Sequence, residues 1–148
     1  MINHSIFTDI DHSIAMSLRA AYLSMHRQTE AATIKHGITA NQFVLLALLA
    51  QEDRITQQEL GQRACSDPNT IRAMLVLLEN RGLVERTYDK DDGRKRKIII
   101  TDKGRRFFEK LWDSTKPSRR RFLTIFSVKE IEIIIKNLKL ISDGMKDT

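Results

Sequence analysis

Between Asp89 and Lys97 the chain reads DKDDGRKRK: three carboxylates and a glycine around one lysine, then four adjacent cations. Arg94, Lys95, Arg96 and Lys97 together have the chemistry of an anion-binding surface. Lysine supplies a mobile point charge, and arginine a planar fork that matches phosphate oxygens. The carboxylates ahead of them oppose that role unless they have local work. Asp92 stands two residues before Arg94, where it could hold the guanidinium in a fixed direction through a charge-assisted hydrogen bond. Asp91-Asp92-Gly93 also has the composition of a turn. The expectation is that Arg94 enters the narrow, negative minor groove of a duplex while Lys95, Arg96 and Lys97 lie along phosphates.

A second group lies about twenty residues upstream. At helical spacing Ile71, Met74, Leu75 and Leu78 share one face. Asn69, Ala73, Val76 and Asn80 then point away, with Thr70 and Arg72 on the flanks. An amide can pair bidentately with adenine, and a small methyl leaves room for the methyl of thymine. Asn69, Thr70, Arg72, Ala73 and Val76 are therefore candidates for reading base edges.

Other chemistry is poorly represented. His4, His12, His26 and His36 include no i, i+4 pair and stand beside no carboxylate cluster, so no metal site is expected. There is no Ser/His/Asp or Cys/His pairing, no glycine loop to cradle a phosphate and no paired acids on one helix face. An enzyme is not expected, nor a cofactor. Cys65, the single cysteine, excludes an internal disulfide and points to a reducing compartment. Its ordinary reading is a small buried hydrophobe. Standing just before a helix start at Asp67, it is also the candidate for a redox role.

These groups need a frame. The chain has 148 residues, 41% hydrophobic and 30% charged, with a net charge of +6. That suits one globular domain with an anionic partner. No apolar run is long enough to span a bilayer, and the start lacks the pattern of a secretion signal. A first helix is expected from about Asp9 to Lys35, stopped at His36-Gly37. Thr39-Ala40-Asn41-Gln42 is a capping box for a second, nearly all-apolar helix, and Thr56-Gln57-Gln58-Glu59 for a short third one. Asp67-Pro68 opens the fourth, which ends at Arg81-Gly82. Strand-like runs Leu83–Tyr88 and Lys97–Thr101 flank the charged stretch. A long helix should run from Asp102 towards Phe122, bent near Pro117. Ser127-Val128-Lys129-Glu130 caps the last helix.

Two short capped helices joined by a tight turn and followed by a charged hairpin are the parts of a winged helix-turn-helix. The fold expected is mainly α with a small β-hairpin wing. Residues from ITQQELGQRACSDPNTIRAMLVLLENRGLVER through DDGRKRKIIITDKG, with helices on either side, resemble the MarR family of transcriptional regulators. The resemblance covers nearly the whole chain as a single domain, 1–148. It implies a DNA-binding part at about 39–101, dimerisation helices at about 9–36 and 102–146, and a homodimer on a pseudo-palindromic operator. It further implies a small-molecule or redox signal that changes the spacing of the two reading helices. Repression is the expected sense of regulation, in the cytoplasm of a bacterium or archaeon and at the nucleoid. Many members place a basic residue where Ala73 stands, so this helix has Arg72 as its only cation there.

Surplus apolar surface argues for the dimer independently. A winged domain of this size does not need Ile14 and Leu18 on the first helix and Ile131, Ile134, Ile135, Leu138 and Ile141 on the last to close its core. Those stripes suit a second copy. Tyr22, Met25 and Trp112 are the candidates for an effector pocket. Two other functions use the same features: an architectural protein binding DNA without sequence choice, and a winged helix serving as a protein-interaction module.

Overall fold

The structure is a computed structural model that describes residues 9–52, 54–88, 91–94 and 96–146. The chain divides into two compact units, Met1–Ser114 and Thr115–Thr148.

The first unit begins with α1 (Ile10–Thr33), which ends in a 3-10 turn, Ile34–His36, closed by Gly37 at φ 75°. Helix α2 (Ala40–Gln51) starts from the full capping box of Thr39 and Gln42. Glu30 of α1 reinforces that start by accepting from the Ala40 N–H at 2.5 Å. As its all-apolar sequence predicts, α2 is central: Phe43, Leu45, Leu46 and Leu49 are buried. Strand β1 (Ile55–Thr56) leads into α3 (Gln57–Arg63), capped by Thr56 and Glu59. Then come α4 (Pro68–Asn80), strands β2 (Val84–Tyr88) and β3 (Arg96–Ile100), and α5 (Asp102–Arg120), which continues into the second unit.

The sheet has the order β1-β3-β2, all antiparallel. The sequence reading contained only the hairpin. Ile55 and Thr56 are too few to show a period of two, yet they pair with Ile98 and Lys97 and make β3 a central strand. Ile98 and Ile100 face inward and join Leu60, Ile71, Leu75, Leu78, Leu83 and Leu111 in one core.

The first turn of α5 is fastened to the turn that leaves α4. Thr101 Oγ1 donates to the Gly82 carbonyl at 2.6 Å and accepts from the Gly104 N–H at 2.9 Å. The Thr101 N–H donates to the Leu83 carbonyl at 3.1 Å. Gly104 is obligatory here: a Cβ would sit 2.1 Å from the Leu83 carbonyl oxygen.

The second unit holds the end of α5, the short α6 (Phe122–Ile125) and α7 (Val128–Gly144). Pro117 lies inside α5, which stops at Arg120 rather than running to Phe122. Helix α7 has a full capping box from Ser127 and Glu130 and no buried residue.

Replacing Gly104 with alanine forces the Leu83 backbone to move, because the clash is with main chain and not with a side-chain end. We expect a loss of at least about 3 kcal/mol, measured as the shift in urea midpoint at constant slope. A Gly104→Ala protein as stable as the parent would refute the close fit.

Candidate nucleic-acid interface

Helix α4 is aimed by its first turn. Asp67 Oδ1 accepts from the Asn69 and Thr70 N–H groups at 3.1 and 3.0 Å, and Pro68 needs no partner. The Thr70 hydroxyl donates to Asp67 Oδ2 at 2.5 Å. That hydrogen bond, with those from the backbone, holds the Asp67 carboxyl below its usual range. The Thr70 hydroxyl is thus engaged in the cap.

The face assignment agrees with the structure. Ile71, Leu75 and Leu78 are buried and Met74 half-buried against the core. Asn69, Thr70, Arg72, Ala73 and Val76 are all exposed. Val76 keeps 43% of its surface accessible and Leu77 54%, apolar area that is open to solvent. From α4 the surface continues to the wing through the Glu79–Arg86 ion pair. The buried Arg86 Nε lies 3.0 Å from Glu79 Oε2, without the alignment of a hydrogen bond.

On the wing, Asp92 acts on different atoms from those expected. Its Oδ1 accepts from the backbone N–H of Arg94 at 3.1 Å, an Asx turn, rather than from the guanidinium. Asp92 therefore fixes the direction in which the Arg94 side chain leaves the main chain. Arg94 is exposed. Arg96 is also exposed, its guanidinium 5.9 Å from the ring of Tyr88, its partner across the hairpin. Lys97 does not join them at the tip. It is half-buried in the central strand, flanked by Thr56 and Thr87, because β1 extends the sheet on that side. Lys95 lies outside the described residues, as do Asp89 and Lys90.

The remaining candidates separate. Tyr22 lines a cavity of about 550 Å³ with Asn41, Val44, Cys65, Ser66 and Met74. Trp112 lines a different one of about 470 Å³ between α2 and α5, beside Phe108, Glu109 and Asp113. Met25 lines neither of these two. Cys65 is exposed, against the expectation of a small buried side chain. It occupies the tight turn between α3 and α4 at φ 51°, which turns it out of the core. Among the described residues no three His, Cys, Asp or Glu side chains could hold a metal, and His36 instead lies 3.3 Å from the Ser114 hydroxyl. His4 lies outside the described residues. Ile14, Ile135 and Leu138 are exposed, while Leu18, Ile131, Ile134 and Ile141 are half-buried. No described helix is long and apolar enough to cross a membrane.

Comparison with known proteins agrees with this geometry. The MarR family profile matches residues 38–95, from the start of α2 into the wing. The chain is 31% identical over 96 residues to the HTH-type transcriptional regulator TtmR of Methylorubrum extorquens, covering 65% of this chain and 49% of that protein. It thus spans about half the length of that relative. It is 26% identical over 118 residues to the HTH-type transcriptional repressor MdtR of Bacillus subtilis, covering 80% and 76%. In fold it matches Staphylococcus aureus MepR in its DNA-binding conformation, with a TM-score of 0.81 and 21% identity over 90% of this chain and 98% of that one. The profile match, the helix-turn-helix with its wing and these relatives agree: residues 38–95 carry the helix-turn-helix segment of the MarR family, and the chain as a whole is similar to regulators of that family.

Proposed function

We propose that this protein is a sequence-specific DNA-binding transcriptional regulator that acts as a homodimer, with α4 in the major groove and the wing on the adjacent minor groove. The observation that carries the reading is the outward face of α4. Amide, guanidinium and small apolar groups are displayed there together on a helix whose opposite face is fully packed. Base edges offer such a surface hydrogen-bond partners and thymine methyls, where water offers the apolar groups nothing. The exposed Arg94 and Arg96 supply the phosphate and minor-groove contacts.

The dimer is supported by apolar surface left accessible among the described residues. On α7, Ile135 is 60% exposed and Leu138 44%, and on α1 Ile14 is 50% exposed. A second copy would cover these stripes and set two α4 helices against a pseudo-palindrome. Repression and release by a small molecule are supported by the relatives: MdtR is named a repressor, and the Rhodococcus jostii CouR structure, similar in fold, holds p-coumaroyl-CoA. Here the two cavities lined by Tyr22 and by Trp112 are the candidates for an effector. Cytoplasmic action at the nucleoid goes with that role.

The test is selection of a duplex from a random pool by the intact protein, followed by footprinting. A regulator protects one palindrome over competitor DNA; an architectural protein protects none, and an interaction module binds no DNA at moderate salt. On the selected palindrome, Asn69→Ala or Arg72→Ala should lose about 1–3 kcal/mol, and much less on random duplex. Equal losses on both would mean that these residues touch only phosphate.

The wing gives a sharper contrast. Asp92→Asn should bind as tightly as the parent or tighter, since the amide oxygen still accepts from the Arg94 N–H and a charge facing phosphate is gone. Asp92→Ala should bind more weakly, because the turn loses its acceptor. If the alanine protein binds as well as the asparagine protein in titrations at several salt concentrations, Asp92 has no orienting role.

For the dimer, Leu138→Asp should weaken self-association by about two orders of magnitude in sedimentation equilibrium, as expected for an unpaired charge in an apolar contact. A parent protein that sediments as a monomer at micromolar concentration would overturn the two-fold arrangement.

A further inference from the structure

One side chain outside the proposed DNA-facing surface connects the end of α4 to the α1–α2 junction and to α5. Arg81 is the residue after the last turn of α4. Its Nη1 donates to the Gly37 carbonyl at 2.9 Å and its Nη2 lies 3.3 Å from the His36 carbonyl, so the fork spans two successive carbonyls of the α1–α2 junction. The same guanidinium lies over the ring of Phe107 on α5, 4.8 Å from its centroid. The Arg81 main chain is held as well, its carbonyl accepting from Lys103 Nζ of α5 at 2.8 Å. Gly37 is part of the arrangement. Its left-handed conformation, at φ 75°, is one that residues with a side chain rarely adopt, and the guanidinium packs directly against it.

We infer that Arg81 is a positioning residue for DNA reading, fixing the direction of α4 against the α1–α2 junction and α5. This rests on the proposed dimeric, sequence-specific reading. The physical argument is one of leverage. The buried face of α4 fixes how deeply the helix sits, but Ile71, Leu75 and Leu78 form a single stripe about which the helix can roll or tilt. Contacts at the helix end, far from that stripe, resist rotation best. A planar fork on two fixed carbonyls, stacked on a ring, has few ways to move while keeping its contacts. In a dimer the directions of the two α4 helices set the separation of the half-sites they can read together. Losing the fork should therefore relax the spacing requirement more than it weakens contact with DNA.

The experiment uses the palindrome selected by the parent, plus duplexes with one base pair inserted or deleted at its centre. Arg81→Lys keeps the charge but can hold only one carbonyl and does not stack as a plane. Phe107→Leu keeps an apolar packing group and removes the ring. Affinities of all three proteins for the three duplexes and for random duplex are measured alongside urea midpoints. In both variants we expect the spacing penalty and the ratio of specific to random affinity to fall, by roughly tenfold for Arg81→Lys. Affinity for random duplex should stay near that of the parent. Variants that lose stability but keep the parental spacing penalty and ratio overturn the inference and leave Arg81 a stability residue. A parent that selects no palindrome overturns the DNA-reading proposal, and this inference with it.

Discussion

The Leu83 carbonyl meets the first turn of α5 with no room for a side chain between them, and α4 and the wing are built outward from that contact. The chain leaves α4 through Arg81-Gly82-Leu83, makes the hairpin, and returns so that Thr101 bonds Gly82 and Leu83 and Lys103 bonds the Arg81 carbonyl. The wing is therefore a closed loop whose two ends are fixed at one point. That point is also the end of α4. Helix and wing are held to each other through backbone and short side-chain hydrogen bonds, which are directional. The absence of a Cβ at position 104 makes the approach possible.

A wing carrying both signs of charge could have drawn its shape from ion pairs, but exposed ion pairs contribute little and weaken with salt. Two of the contacts on this one are directed by other groups: Asp92 bonds a peptide N–H, and Tyr88 lies under Arg96 across the strands. The Glu79–Arg86 pair adds an ion pair in which the arginine side chain is only 22% exposed. Burial keeps such a pair effective where surface pairs are screened. The exposed cations Arg94 and Arg96 are thus available for phosphate, because the local structure is maintained by other groups.

The three capping boxes and the Asp67-Pro68 start were legible because a cap is a local rule: a hydroxyl or carboxylate oxygen must meet free N–H groups within one turn. The buried and outward faces of α4 were legible for a similar reason, since a period of 3.6 is visible within four turns. What escaped is non-local. Strand β1 has two residues and exists only because β3 passes beside it, and with it went the true place of Lys97. Arg81 read as an ordinary cation before a capping glycine, and nothing near it in sequence points to carbonyls 44 and 45 residues away. The composition DDGRK showed that Asp92 mattered, but not which of Arg94's two kinds of N–H it would bind. The short reach from a residue to the peptide two positions on favoured the backbone.

The terminal helices pose a different physical question, that of why they are ordered at all. Helix α7 has 17 residues and a complete capping box, yet none of its residues is fully buried; Ile131, Ile134 and Ile141 are only half-buried. A helix of that length is marginal by itself in water, and in proteins most of its stability comes from packing an apolar face. Ile131, Ile134, Ile135, Leu138 and Ile141 make such a face, and Ile133 and Leu140 widen it. An apolar surface of this kind costs free energy for as long as it faces water, so order in α7 and coverage of its stripe go together. On the proposed dimer, the helix would then be stable only to the extent that the second copy is present, and its order would depend on protein concentration. The geometry of DNA reading would be divided accordingly. On that proposal the direction of each α4 would be fixed within one chain by the contacts at Arg81 and Gly104, and the distance between the two would be left to the assembly.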